Sequence, residues 1–201
     1  MHRKLALDID SILQRISVGD AQAFAMIVDR YQGPLFGYLG RLGLAQVLAE
    51  ELAQETFLRA WRGLGSYRPE RAAFSTWLFT IARNLAIDEL KSLAQRPEIA
   101  GCDPLPDPAS DDAQPLELLQ AAQEQRRLRS ALRQLPMADR SALALVYNHE
   151  LDLAQVARIE DCTPGAIKVR LHRARQRLRE LMEQEYIEHA AHTEHDRGAN
   201  R

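Results

Sequence analysis

The sequence predicts an all-α protein of two small helical domains, joined by a flexible proline-rich and acidic linker, with a helix-turn-helix in the C-terminal domain. Three observations predict this fold class. Apolar residues recur at the three- and four-residue spacing of amphipathic helices. Strand patterns are scarce, and only 6% of the residues are aromatic. Five of the nine prolines fall in one segment near the middle of the chain, among acidic residues.

The overall composition limits the possible functions. A chain of 201 residues with 46% hydrophobic residues can form one or two small cores. The net charge of -2 hides an asymmetry, because basic stretches at 126–140 and 168–179 are balanced by acidic stretches elsewhere. The charge of the whole chain is therefore a poor test of nucleic-acid binding.

Cysteine usage and hydropathy point to a cytoplasmic protein. Cys102 and Cys162 are far apart and neither belongs to a CxxC pair, so a disulfide framework or a cysteine-based zinc site has little support. No apolar run approaches the roughly 18 residues of a membrane span. Residues 1–10 lack the apolar centre of a signal peptide.

The N-terminal domain, residues 1–94, is expected to contain five helices. A first helix starting near Ile9 ends at Gly19, and Asp20 is expected to cap the second. We expect the Gly33-Pro34 pair to separate this second helix from a third. The fourth helix, from Gln46 to Leu64, combines an apolar stripe with an unusually polar outer face that contains Glu50, Glu51, Gln54, Glu55, Arg59 and Arg62.

A loop at residues 65–73 follows, and Ser75 is expected to cap a fifth helix from Thr76 to about Ser92. Aromatic and basic side chains surround this loop: Tyr67, Arg68, Arg71, Phe74, Trp77, Phe79 and Arg83. Such a combination suits single-stranded nucleic acid, because bases stack on rings while cations neutralise the backbone. The alternative for the three aromatics from Phe74 to Phe79 is ordinary core packing.

Residues 95–124 are interpreted as the flexible linker. Between residues 98 and 117 the sequence has six acidic residues and no basic ones. Such a segment cannot bury enough apolar surface to offset the entropy lost on ordering it. The C-terminal domain, residues 125–185, follows, and residues 186–201 form a polar tail.

The stretch from Thr163 to Met182 gives the strongest local signal. Thr163 can cap a helix that Pro164 begins. One face of that helix is apolar: Ile167, Leu171, Ala174, Leu178 and Leu181. The other positions include six cations against a single acid, Glu180, and a phosphate backbone is a natural partner for them.

The residues before this helix favour a helix-turn-helix over a solvated basic face on an ordinary core helix. Asp152 and Gln155 have the spacing of a capping box, and residues 160–162 form a short turn. A short helix, a tight turn and a longer basic helix is the arrangement that lays a recognition helix into the major groove.

Four sequence blocks carry a family resemblance. Residues 50–62 read EELAQETFLRAWR, residues 74–84 read FSTWLFTIARN, and residues 165–175 read GAIKVRLHRAR, preceded by Leu135-Pro136 with Arg140. The first two blocks resemble the second conserved region of bacterial sigma-70 RNA polymerase sigma factors of the extracytoplasmic-function (ECF) group, and the other two resemble the fourth region. The resemblance covers residues 19–93 and 128–182.

The resemblance implies a sigma factor that directs core RNA polymerase to promoters, with no catalytic residues and no cofactor. It implies that one set of residues binds the clamp coiled coil of the largest polymerase subunit: Glu51, Gln54, Glu55 and Arg59. A second set would contact the minus-ten DNA: Tyr67, Arg68, Arg71, Trp77, Arg83 and Asn84. A third set would contact the minus-thirty-five DNA: Lys168, Val169, Arg170, His172, Arg173 and Arg175. An anti-sigma factor, which can be membrane-bound, is a further implied partner.

The sequence departs from the family pattern at three positions. Asp161 stands where the turn of the helix-turn-helix usually has Gly, Ala166 replaces the usual Thr, and Val169 replaces the usual Ser on the face toward the promoter. The turn can still form, and the base preference is left open.

Two other classes of function were weighed. A repressor would use the same helix-turn-helix, but it has no reason to contain the blocks at 50–62 and 74–84. An enzyme has less support, because no Ser-His-Asp set, phosphate-binding loop or carboxylate pair stands out. His189, His192 and His195 have the spacing of a metal site on a helix, although a polar tail is the simpler interpretation.

Overall fold

A computed structural model describes residues 9–95, 115–147, 149 and 151–198, with side chains described for 9–95, 124–147, 149 and 151–184. The described chain forms eight α-helices and no β-strand, which confirms the all-α class. The helices are α1 (Ile9–Ser17), α2 (Phe24–Arg41), α3 (Gln46–Gly63), α4 (Phe74–Ala94), α5 (Pro115–Gln134), α6 (Met137–Tyr147), α7 (Leu153–Ile159) and α8 (Pro164–Gly198).

The N-terminal domain is built on the mutual packing of α2, α3 and α4. Each helix buries one apolar stripe, and in α3 the buried residues include Leu52, Thr56 and Ala60, as predicted. In α4 the buried set includes Phe79, which the sequence predicts to lie off the stripe. Asp20 accepts a hydrogen bond from the Ala23 amide at the 3-10 turn that leads into α2, as predicted. Burial of one stripe per helix leaves the outer face of α3 in water.

Helix α2 is continuous through Pro34, so the predicted break into two helices is wrong. Ile27 lies before Pro34 and Leu35 and Leu39 lie after it, and all three side chains are fully buried. Gly33 and Pro34 are exposed, so the backbone hydrogen bond that the proline cannot make is missing on the solvent side. Burial on both sides of the proline outweighs its tendency to end a helix.

Helix α4 begins at Phe74, earlier than the predicted start at Thr76, and no side chain caps it. Phe74 is 3% exposed and packs edge-on against Tyr67 at 5.4 Å between ring centroids. Packing of this ring in the first turn therefore fixes the start of α4, and the predicted cap by Ser75 is wrong.

The C-terminal domain packs α5, α6 and α7 against α8. Ile167, Leu171 and Ala174 are buried, which confirms the predicted inward face of α8. The predicted linker and tail are shorter than expected, because α5 already begins at Pro115 and the α8 backbone continues to Gly198. Proline suits a first helical position, and good helix formers follow Pro115. The rest of the predicted linker lies outside the described residues.

The two domains are in direct contact, which the sequence did not predict. Helix α6 packs on α2, and α7 packs on α4. The buried apolar residues of both domains form one continuous cluster.

Candidate polymerase and nucleic-acid interfaces

The outer face of α3 presents a mixed polar and apolar stripe to solvent. Glu51 and Gln54 are exposed, and Arg59 donates to the Glu55 carboxylate at 2.7 Å. Three large apolar side chains lie on the same face: Val47 (68% exposed), Leu58 (48%) and Trp61 (40%). A stripe of this kind is typical of a binding surface, because the domain leaves it uncovered although its apolar residues favour burial.

These three apolar residues were not predicted to belong to the polymerase-binding face. Val47, Glu51, Gln54, Leu58 and Trp61 recur at four- and three-residue spacing. That spacing forms a second stripe on the side of α3 away from the core, and it was readable from the sequence.

The loop between α3 and α4 is braced by aromatic packing. The Tyr67 ring lies 5.2 Å from that of Trp77 between centroids, and its hydroxyl donates to the Ala72 carbonyl at 3.1 Å. Phe74 and Phe79 are buried, so core packing accounts for them, whereas Tyr67 and Trp77 are partly exposed. Arg68, Arg71 and Asn84 are exposed.

A cleft of about 570 Å³ opens beside this loop. Its lining includes Trp61, Tyr67 and Pro69, together with Leu13 and Ile16 of α1. The contribution of α1 was not foreseen, because nothing in its sequence links it to a loop more than 40 residues away.

The helix-turn-helix consists of α7, a three-residue turn and the first turns of α8. Asp152 and Gln155 form the predicted capping box, and the Thr163 hydroxyl accepts from the Ala166 amide at 3.2 Å, as predicted. In the turn, Asp161 has a φ of 52°, in the left-handed region. That conformation favours glycine, and Asp is one of the few other residues that adopt it.

The six predicted minus-thirty-five residues fall into two groups. Lys168, Val169, His172 and Arg173 are exposed on α8. Arg170 is partly buried and donates to Glu160 at 2.9 Å. Arg175 is exposed, with bonds to the Leu171 carbonyl and the Tyr147 hydroxyl. The free basic surface of α8 is therefore centred on Lys168, His172 and Arg173.

A buried polar cluster joins the domains, and Glu160 at the end of α7 is its centre. The Glu160 side chain is fully buried and accepts from Arg83 of α4 at 3.0 and 3.1 Å, from Arg170, and from the Ser141 hydroxyl. Because Ser141 gives its proton to Glu160, Tyr38 must be the donor in the 2.7 Å bond between the two hydroxyls. We call these five residues, Tyr38, Arg83, Ser141, Glu160 and Arg170, the Glu160 cluster.

The cluster uses two predicted DNA contacts, Arg83 and Arg170, and its central carboxylate was missed. Val156, Ala157 and Ile159 of α7 are buried with Glu160, so a carboxylate stands among the buried positions of a short helix. The sequence signal for the cluster was the helical spacing that places Glu160 on the same face as these apolar residues. A carboxylate buried on that face requires a cationic partner.

Burial also shifts the titration of two rings at the domain contact. The Tyr38 side chain is fully buried, and desolvation raises its pKa. His149 packs on Phe79 at 4.7 Å between ring centroids, and burial, with a smaller contribution from the charge of Arg41, lowers its pKa to about 4. His149 is therefore neutral at pH 7 while the domains are in contact.

Sequence and structure comparisons bear on both domains. Residues 27–96 match the Sigma-70 region 2 family, and residues 125–178 match Sigma-70, region 4. The chain is 32% identical to the ECF RNA polymerase sigma factor BldN of Streptomyces coelicolor over 90% of this chain and 70% of BldN. It is 31% identical to the ECF RNA polymerase sigma factor SigW of Bacillus subtilis over 85% of this chain and 94% of SigW. The chain belongs to the ECF RNA polymerase sigma factors.

The fold of this sigma factor is also similar to a solved structure of the family. The sigma factor RpoE from Bartonella quintana, in complex with the anti-sigma factor NepR, is 26% identical with a TM-score of 0.65. That comparison covers 81% of this chain and 98% of RpoE. The sequence and structure comparisons together confirm the resemblance read from the four sequence blocks. They assign promoter-directed transcription initiation to the chain.

Two remaining predictions concern metal and membrane. Among the described side chains of this sigma factor, no three His, Cys, Asp or Glu residues come together as a metal site. The side chains of His189, His192 and His195 lie outside the described residues. No helix of the described chain is long and apolar enough to cross a membrane.

Proposed function

We propose that this sigma factor reads the minus-thirty-five element with α8 and the minus-ten element with the α3–α4 loop while α3 binds core polymerase. The observation that best supports this assignment is the division of α8, which buries Ile167, Leu171 and Ala174 and presents Lys168, His172 and Arg173 to solvent. A helix with one face anchored in a helix-turn-helix and a cationic face free suits the major groove.

Core polymerase binds the outer face of α3. Val47, Leu58 and Trp61 supply apolar area, while Glu51 and Gln54 supply acceptors for a basic partner helix such as the clamp coiled coil. Glu55 and Arg59 already bind each other and lie at the rim of this surface.

The minus-ten strand is held at the loop. Arg68 and Arg71 neutralise its backbone, and the partly exposed faces of Tyr67 and Trp77 are available for stacking. Asn84 is exposed on α4 and offers donor and acceptor atoms to the edge of an unpaired base. Arg83 reaches this DNA only after it leaves Glu160.

An anti-sigma factor controls the protein. The support is the similarity to the Bartonella quintana sigma factor that was solved with one. We further propose that the chain catalyses no reaction and needs no cofactor, because the polymerase performs the chemistry, and that it acts in the cytoplasm, where promoter and polymerase are found.

The experiment is reconstitution of the full chain with core polymerase. Transcription from defined promoters, with a footprint that requires polymerase, is the expected result. A footprint of equal strength from the chain alone would instead favour a repressor, and no transcript from any genomic promoter would contradict the proposal.

A further inference from the structure

We propose that Val169 of α8 is a specificity-determining residue, and that it recognises the C5 methyl group of a thymine in the minus-thirty-five element. This role rests on the function proposed above, because it requires α8 to lie in the major groove at that element. It names the base feature that the proposed function leaves open.

Val169 lies at the centre of the outward face of α8. Ile167, Leu171 and Ala174 are buried, and together they define the direction of the domain core. At about 100° of rotation per residue, Val169 points within about 15° of the opposite direction. Its side chain is 50% exposed. Val169 is therefore directed toward the floor of a groove into which this helix is inserted.

Val169 is an apolar residue among polar and charged ones. Lys168 and His172 are exposed on one side of it, and Arg173 is exposed on the other. Among the described side chains of α8, Met182 is the other large apolar residue that is exposed, and it lies about three and a half turns farther along. The two cations can reach phosphates or base edges through their long stems, whereas valine offers only its methyl groups.

The turn before Val169 leaves room for a group of the DNA. Side chains on a helix lean toward its N-terminus, so Val169 leans toward Gly165, one turn earlier. Gly165 and Ala166 are exposed. Outside the helix backbone, a Cβ added to Gly165 would meet only the Thr163 hydroxyl, at 3.9 Å. Val169 and Ala166 therefore border a shallow apolar notch in the part of α8 that faces base edges in a helix-turn-helix.

Thymine is the base whose chemistry fits this notch. Every base pair presents hydrogen-bonding groups in the major groove, and thymine adds a C5 methyl group. The valine side chain can neither donate nor accept a hydrogen bond, so a polar base edge placed against it would lose its water partners without replacement. A methyl group has no such partners to lose, and its burial against Val169 removes apolar surface from water.

The test uses holoenzyme assembled from the full chain and core polymerase, with a promoter duplex that the reconstitution above identifies. Each thymine of the minus-thirty-five element, on either strand, is replaced singly by uracil, which lacks only the C5 methyl group. We expect one of these replacements to weaken binding of the wild type about fourfold, the effect of one buried methyl group. Val169→Ala should weaken binding to the unmodified duplex by a similar factor and should show no further loss with that replacement.

Val18→Ala is the matched control, because Val18 is 78% exposed directly after α1. It makes the same substitution in the other domain, so the response to every uracil replacement should equal that of the wild type. Helicity by circular dichroism should be the same in all three proteins, since alanine is a better helix former than valine.

The possible outcomes separate the role of Val169 from the proposed function. A wild type that prefers the promoter to a scrambled duplex, but is weakened by no uracil replacement, would overturn the role of Val169. A replacement that weakens the wild type and Val169→Ala by the same factor would place the methyl group against another side chain and would also overturn it. Equal binding of the promoter and scrambled duplexes by the wild type would contradict the proposed function itself, and the role of Val169 with it.

Discussion

Asp161 lies in the turn of the helix-turn-helix, where one side chain affects the stability of the whole motif. Its φ of 52° lies in the left-handed region, which is unfavourable for a residue with a Cβ and which glycine adopts without that cost. Asp161→Ala should lower the free energy of unfolding by about 1 kcal/mol, because alanine lacks the local hydrogen bonding that helps Asp adopt this conformation. Asp161→Gly should not lower it.

Thermal and urea unfolding of the full chain would measure both changes. Asp88→Ala is the control, since Asp88 is exposed at a helical position in α4. Similar losses for the Ala and Gly variants of Asp161 would show that its carboxylate, and not its backbone, matters in the turn.

We expect His149 to make the domain contact sensitive to pH. Its pKa is about 4 while the domains are in contact, against an ordinary value of 6.5, so separated domains would bind more protons between these values. The contribution of neutral His149 to the domain contact is therefore expected to be fully present above pH 6.5 and to be lost as the pH falls toward about 4. Arg41 is the neighbouring charge that acts in the same direction.

His149→Phe should remove this part of the pH dependence, because a phenyl ring can pack on Phe79 without titrating. Scattering from both proteins across the range gives the comparison. If the variant and the wild type open together as the pH falls, carboxylates elsewhere cause the opening and His149 does not.

At the scale of the single helix, we expect α8 to make both phosphate and base contacts, and the salt dependence of binding distinguishes the two kinds. A cation that neutralises a phosphate releases counterions. Replacing such a cation with alanine should therefore flatten the slope of log affinity against log salt by about one unit. Loss of a base contact costs about 1–3 kcal/mol at the specific site and little elsewhere. We expect Lys168→Ala and His172→Ala to behave as losses of base contacts. We expect the alanine variants of Arg173 and Arg175 to show a mixture of base-contact and phosphate-contact behaviour.

The measurement is a titration of the full chain with promoter and scrambled duplexes at several salt concentrations. Arg179→Ala serves as control, because Arg179 is exposed on α8 beyond the proposed contact region. Equal loss on both duplexes for every variant would mean that α8 supplies charge without reading sequence.

For α3, a charge reversal tests the polymerase surface. Glu51→Lys should weaken binding to core polymerase about tenfold, because it places a cation opposite a basic partner, while helicity and melting temperature stay unchanged. Glu183→Lys makes the same reversal on the exposed part of α8 and should leave core binding intact. Unchanged binding by Glu51→Lys at moderate salt would move the docking surface away from α3.

The helices could be predicted wherever local signals agreed. In α7 and α8 the caps at Asp152 and Thr163 and the buried stripe all pointed the same way, and the structure confirms each of them. At Pro34 the local signal predicted a helix break, and near Phe74 it predicted a cap by Ser75. Tertiary burial outweighed both signals, because burial against a distant helix cannot be read from a few neighbouring residues.

At the scale of the whole molecule, the two domains were predictable and their contact was not. The residues of the Glu160 cluster lie as far apart in sequence as Tyr38 and Ser141, and no spacing rule connects them. The sequence indicated a buried cationic partner only through Glu160, whose carboxylate directly follows the buried residues of α7. The same contact explains why Arg83, predicted to bind DNA, is found bound to Glu160. Arg170, also predicted to bind DNA, binds Glu160 within the C-terminal domain.

The proposal that the two domains read the two promoter elements together is tested most directly by the distance between the domains. Labels at Val18 and Met182, both exposed and outside the proposed contacts, would report it by energy transfer after Cys102 and Cys162 are replaced with serine. We expect one short distance in the free chain and an increase of several tens of ångströms, within the separation of about 85 Å between the elements, in the complex with core polymerase and promoter. The same distance in both states would contradict the account.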